Sequence, residues 1–218
     1  LIYFFRDWLQ ILRQALRGRA LGPDGGISRN PGLLWMLAAA TVPVGVAGLL
    51  GKDAVETTLR SPYVIGTMLI VVGVVMGWAD RTGRGEKRLG DVSWTDALMI
   101  GTAQALAVIP GTSRSGITIT AGLFRGMERA EAARFSFLLS TPAIGGAAVL
   151  AFRDLMEAGG VPAGEMTAFV TGIVVSALTG CLVISLFLKF LRRFSLQFFV
   201  AYRIIFGILV LALAFFRR

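Results

Sequence analysis

IPGTSRSGIT, Ile109 to Thr118, interrupts a long apolar stretch with a proline, two glycines, one arginine and the hydroxyls of Thr112, Ser113, Ser115 and Thr118, with Thr120 just beyond. The apolar runs around it, Ala97–Ser113 and Ser115–Phe124, are divided by Arg114. A helix broken inside a membrane leaves backbone N–H groups without water, at a cost of several kcal/mol per group, so protein, trapped water or ligand must occupy the break. Hydroxyls, N–H groups at a glycine-containing turn and a guanidinium fork together suit a phosphate or another oxyanion. The competing account is a Pro/Gly kink whose arginine snorkels to the headgroups.

Composition places the break in a membrane. Of 218 residues, 55% are hydrophobic and 16% charged, a balance that predicts an all-α polytopic membrane protein rather than a soluble domain. The net charge of +9 predicts a sidedness more than a partner, and no nucleic-acid role is expected from it. Cys181 is the single cysteine and sits in an apolar run, so it forms no disulfide within the chain and is expected to pack. Histidine is absent, which removes a histidine triad, an HExxH zinc site or a histidine base from this polypeptide.

Outward from the break, uncharged runs and basic loops alternate. Leu1–Leu12 resembles the end of a membrane helix running into a cytoplasmic segment with Arg13, Arg17, Arg19 and Arg29 against Asp24. Leu33–Leu50 and Tyr63–Ala79 are predicted spans joined by an external loop with Lys52, Asp53, Glu56 and Arg60. Gly73 and Gly77 have GxxxG spacing, which suits close helix packing. The segments Asp80–Asp91 and Arg125–Arg134 are both basic, so both ends of the central unit face the cytoplasm. That unit is then a hairpin, re-entrant or spanning and returning, with the break near its far tip. Phe135–Phe152, Met166–Leu188 and Leu196–Phe216 complete the predicted spans, and only Arg217 and Arg218 run against the charge bias.

Three further features qualify the pattern. Ala40–Leu50 and Ser140–Leu150 each set a hydroxyl shortly before a proline, then small residues, which fits either an internal duplication or convergence on kinked packing. An arginine at the depth of Arg114 costs about 2.5–3.5 kcal/mol on insertion scales, and the hairpin holds no acid to pair with it. Arg203, two turns into the last span beside Tyr202, is expected to snorkel. Gln104 either lines the cavity at the break or bonds to a neighbouring helix.

PGTSRSGIT, preceded by Gln104 and followed by Gly126–Ile144 (GMERAEAARFSFLLSTPAI) and Tyr202–Gly207 (YRIIFG), resembles the bacterial undecaprenyl-diphosphate phosphatase family of the bacitracin-resistance type. The similarity is carried from about Ser28 to the C-terminus. It implies an integral membrane enzyme of the bacterial inner membrane that hydrolyses undecaprenyl diphosphate to the monophosphate and inorganic phosphate, with its site towards the external side. It also implies one membrane domain over residues 1–218, folded as part of an inverted repeat with re-entrant hairpins. Matched to this sequence, Arg114 is the essential arginine, with Ser113 and Ser115 as catalytic candidates beside it. Pro110, Gly111, Thr112, Gly116, Thr118 and Gln104 form the expected substrate-binding set. A divalent cation, Mg2+ or Ca2+, is implied by the resemblance, although no carboxylate cluster stands ready to hold one.

The family's earlier motif, a glutamate-containing helix running into Pro-x-Ser-Ser-Thr-Gly-His, has no counterpart here and is expected upstream of Leu1. The acids, the histidine and the attacking group would belong to that part, so the chain by itself is expected to be inactive. The rival expectation is a transporter or flippase for a polyprenyl phosphate or another anion, because broken helices with a midplane arginine also serve transport.

Overall fold

The computed structural model describes residues 2–17, 27–51, 57, 59–83 and 85–216. Arg19, Asp24, Lys52, Asp53, Glu56, Arg217 and Arg218, used above to assign loops, lie outside them, as does Arg84 of the basic segment Asp80–Asp91. Eight α-helices and no strand occur among the described residues: α1 (Phe5–Arg17), α2 (Leu33–Leu50), α3 (Pro62–Thr82), α4 (Trp94–Ala105), α5 (Arg114–Phe124), α6 (Arg129–Glu157), α7 (Met166–Leu191) and α8 (Gln197–Phe216). Five of them, α2, α3, α6, α7 and α8, are long and apolar enough to cross a membrane. The protein is therefore the all-α polytopic membrane protein that its composition predicts.

At the N-terminus the structure departs from the expected tail of a span. α1 continues through Arg13 to Arg17 as one amphipathic helix, burying Ile11 and Gln14, with Phe4 buried just before it, while Arg6 and Arg13 stay exposed. The Arg134 guanidinium grips Asp7 bidentately, Nη2 at 2.7 Å and Nε at 3.1 Å, and so fixes α1 to the start of α6.

The central unit is re-entrant. α4 has 12 residues and α5 has 11, so at about 1.5 Å per residue neither arm matches a hydrocarbon core about 30 Å thick. Both arms open on one end of the bundle. There Arg125 Nε, just past α5, donates to Asp96 in the first turn of α4 at 2.6 Å, and Lys87 Nζ donates to the same carboxylate at 3.0 Å. Burial alone would raise the pKa of Asp96; hydrogen bonds from the Ser93 backbone and hydroxyl, from Arg125 and from Lys87 outweigh it and hold the carboxyl at about 2. The N–H groups of Glu86 and Lys87 donate to Gly126 O, and Glu128 N–H donates to Lys87 O, so the loops before and after the hairpin are sewn together.

Small residues let the remaining helices close on the hairpin. A Cβ on Gly101 of α4 would lie 2.3 Å from Ala40 O of α2, so these two backbones touch. α3 and α8 pack along a glycine stripe: a Cβ on Gly66 would meet Leu211 at 2.7 Å, one on Gly73 would meet Arg203 Cβ at 3.3 Å, and one on Gly77 would meet Val200 at 3.2 Å. The packing role expected of Gly73 and Gly77 is thus observed, with α8 as the partner. The two Thr/Pro helices, α2 and α6, also pack on each other. Each carries a threonine donating to the carbonyl four residues back, Thr41 to Leu37 O at 2.7 Å and Thr141 to Phe137 O at 3.0 Å, beside Pro43 and Pro142.

Candidate anion site at the hairpin break

The break precedes Arg114 rather than falling on it. A 3-10 turn over Leu106–Val108 ends α4, residues 109–113 turn, and Arg114 is the first residue of α5. Two unusual backbone conformations make this turn. Gly111 has φ 90°, and a Cβ there would sit 2.5 Å from Ile65 O, so no other residue fits. Ser113 has φ 66°, which is costly for a residue with a side chain and is maintained by its surroundings. Its hydroxyl caps α5 by accepting from Gly116 N–H at 3.2 Å, and its carbonyl accepts from Ile117 N–H at 3.0 Å. The N–H groups of Arg114 and Ser115 remain without an acceptor among the described residues, as the first turn of a helix predicts.

Two arginines flank this helix start, and the structure treats them differently. The guanidinium of the half-buried Arg114 forms no hydrogen bond or ion pair with any described residue. Arg203 does not snorkel. It is 7% exposed, and its Nη2 donates to Gly111 O and Thr112 O, each at 2.9 Å, bracing the strained turn from α8. Its Nη1 lies near Gly116, and its Nε has no partner. Tyr202 next to it points outwards, and the glycine stripe of α3 provides the room for Arg203 to turn in. The sequence signal was available: Arg203, like Arg114, has no acid on its own helix, and its approach to the basic end of α7 hid that fact.

Ser113, Ser115, Gly116 and Arg203 form the polar wall of a cavity of about 230 Å³ whose other walls are Met76, Ile119, Phe187, Leu196, Phe199 and Tyr202. One side offers donors and positive charge, the other an apolar surface. The Ser115 hydroxyl has no partner among the described residues, whereas that of Ser113 is engaged in the cap. Arg114 adjoins this cavity in sequence but does not line it.

The other expected site residues support the turn from behind. Thr118 is buried and bonds to Arg114 O at 2.8 Å and to the Ser136 hydroxyl of α6 at 2.6 Å, which locks the angle of α5. Ser140, one turn further along α6, donates to Ser136 O at 2.9 Å. Pro110, Gly111 and Thr112 shape the turn outside the cavity. Thr112 and Gln104 are fully buried, and their side-chain polar atoms lack partners among the described residues. Among the described residues Gln104 neither lines this cavity nor hydrogen-bonds to a neighbouring helix. No group of three or more His, Cys, Asp or Glu among the described residues could hold a metal ion, so the divalent cation does not fit these residues and no step below is routed through one.

Five candidate spans around a re-entrant hairpin, a helix N-terminus whose arginine has no side-chain partner among the described residues, and an amphipathic cavity lined by the adjoining Ser113, Ser115 and Gly116 define a membrane protein equipped to take an anionic group attached to an apolar one. The chain belongs to the bacitracin resistance protein BacA family, whose family model matches residues 1–209 and so reaches further towards the N-terminus than the motifs alone. The undecaprenyl-diphosphatase of Desulforudis audaxviator is 45% identical over 217 residues, covering 100% of this chain and 78% of that protein. That of Pelotomaculum thermopropionicum is 42% identical over 212 residues, covering 97% and 76%. Undecaprenyl-diphosphatase 2 of Stutzerimonas stutzeri is 46% identical over 211 residues, covering 95% and 74%.

Proposed function

We propose that this protein is a membrane phosphatase that hydrolyses undecaprenyl diphosphate to undecaprenyl phosphate and inorganic phosphate. The observation that carries the proposal is Arg114: a cation with no side-chain partner among the described residues, at the start of a helix with two N–H groups likewise unpaired, whose neighbours Ser113, Ser115 and Gly116 line a cavity polar on one wall and apolar on the others. In the reaction the oxygen of water bonds to the terminal phosphorus and gives up one proton, which passes to solvent. The bond from that phosphorus to the bridging oxygen breaks, and its electron pair leaves on the lipid monophosphate. Negative charge on the terminal phosphoryl oxygens is what the Arg114 fork and the Arg114 and Ser115 N–H groups stabilise. Ser115 offers a further hydroxyl donor, Ser113 sets the helix start, and Arg203 braces the turn. The isoprenoid next to the diphosphate lies against Phe187, Phe199 and Tyr202.

Charge bias supports an inner-membrane orientation with the hairpin mouth in the cytoplasm and its tip, with the site, towards the external side. Single cysteines at Gly85 and Gly160, in a Cys181→Ala background, test this: the first should be labelled only by reagents that reach the cytoplasm, the second by impermeant reagents outside. Labelling of both from one side overturns the orientation.

The functional test is phosphate release from undecaprenyl diphosphate by the full-length protein in detergent, where no second compartment exists and transport has no readout. Arg114→Lys keeps the charge and loses the bidentate fork, so turnover should fall by roughly 100-fold or more while the protein still inserts and purifies. Near-normal turnover in the lysine variant removes Arg114 from the role, and no phosphate release by the unaltered protein removes the enzymatic function.

A further inference from the structure

At the end of α7, the charged side chains of Lys189, Arg192 and Arg193 form no hydrogen bond or ion pair with any described residue. The neighbouring loops are built differently: Lys87 and Arg125 pair with Asp96, Arg88 with Glu128, and Arg129 with Asp80. The C-terminal dipole of α7 favours cations there but amounts to only about half a negative charge, well short of three positive ones. Lys189 and Phe190 lie three and four residues after Leu186 and so share a face of α7 with it, and Arg193 follows just past the helix end. With Arg192 and Phe194 they line a groove of about 570 Å³ that contains no acid. Phe190 and Phe194 stack in it with ring centroids 4.8 Å apart. Before Leu191, α7 buries no side chain against the described residues.

We propose that this groove is a binding site for an anionic phospholipid, distinct from the hairpin site: the phosphodiester headgroup sits among Lys189, Arg192 and Arg193, and an acyl chain lies on Phe190, Phe194 and Leu186. Charge complementarity selects the headgroup, since a zwitterionic lipid brings its own cation to a site already carrying three. The apolar wall selects a lipid over a free phosphate. The site does not depend on the phosphatase function and stands or falls separately from it.

The test reconstitutes the full-length protein in nanodiscs with equimolar phosphatidylglycerol and phosphatidylcholine, extracts it into mild detergent, and counts retained lipid by native mass spectrometry. Phosphatidylglycerol should be retained over phosphatidylcholine by roughly tenfold, and the preference should shrink with salt, as expected for exposed charges. Combined Lys189→Gln, Arg192→Gln and Arg193→Gln should bring the ratio to about one, while Arg153→Gln, at the far end of α6, should leave it unchanged. Should the triple variant not fold, Arg193→Gln alone should still lower the ratio, and Phe190→Ala with Phe194→Ala should reduce the total lipid retained. An unchanged ratio in the charge variants overturns the proposal. So does displacement of the lipid by millimolar inorganic phosphate, which would mark a site for soluble anions.

Discussion

α7 and the α4–α5 hairpin are both apolar, yet they lie in opposite environments. α7 is among the most apolar spans of the chain and buries none of the side chains of its apolar window. The hairpin is too short to cross, carries hydroxyls, a glutamine and an arginine, and buries Asp96, Ala97, Ile100, Gly101 and Gln104 in one arm and Gly116 through Thr120 in the other. In a bilayer the lipid chains are as apolar as leucine, so hydrophobicity brings a segment into the membrane without choosing its neighbours. Small residues and satisfied polar groups make that choice. Gly101 admits the α2 backbone, Gly111 admits the α3 backbone, and the hydroxyls of Thr118 and Ser136 join α5 to α6. Gly172 and Gly180 of α7 have nothing within 4 Å of where a Cβ would stand. The same residue type is therefore structural in one region and incidental in the other.

The sharpest way to break this comparison is to exchange glycines for valine in both regions. Gly101→Val drives a branched side chain into Ala40 O, and the overpacking should lower the melting temperature in detergent by on the order of 10 °C or prevent recovery of folded protein. Gly180→Val should leave the melting temperature within a few degrees and phosphate release unchanged. Size-exclusion profiles and thermal unfolding of the two variants decide it. Equal effects would mean that α7 is covered by something other than lipid.

The same contrast sets what could be read from the chain before its structure. Charge-free runs of spanning length gave the spans, because length and charge are local properties. The basic character of residues 80–91 and 125–134 placed both ends of the hairpin on one side, and the Asp96 pairs now join those ends physically. What stayed hidden depends on which faces meet. α1 looked like the tail of a span because its apolar residues lead the run, while its amphipathic spacing becomes informative only once α2 and α6 are there to receive it. Gln104 lacks a described partner, so its position alone could not assign it to the cavity. The glycine at 73 and the arginine at 203 are 130 residues apart in sequence and explain each other only when α3 and α8 are side by side.

Arg203 carries the smaller and more discriminating prediction, because it belongs to a spanning helix yet acts on the hairpin. Its Nη2 hydrogens reach two successive carbonyls of a turn that contains both left-handed residues, so it determines where the α5 N–H groups point. Arg203→Lys keeps the charge but offers one ammonium in place of a planar fork, which cannot brace the turn and present Nη1 beside Gly116 at once. Misplacing the donors by a fraction of an ångström weakens them most where charge develops, so kcat should fall by about 10- to 100-fold with KM little changed. A residue that merely filled space would instead lower stability and leave the kinetic ratio alone, and the small glycine-lined gap at Gly73 has room for the slimmer lysine. Steady-state phosphate release and thermal unfolding on the same preparation separate the two. A melting temperature that drops while kcat holds would assign Arg203 to packing, and a rise in KM at constant kcat would assign it to direct contact with the diphosphate.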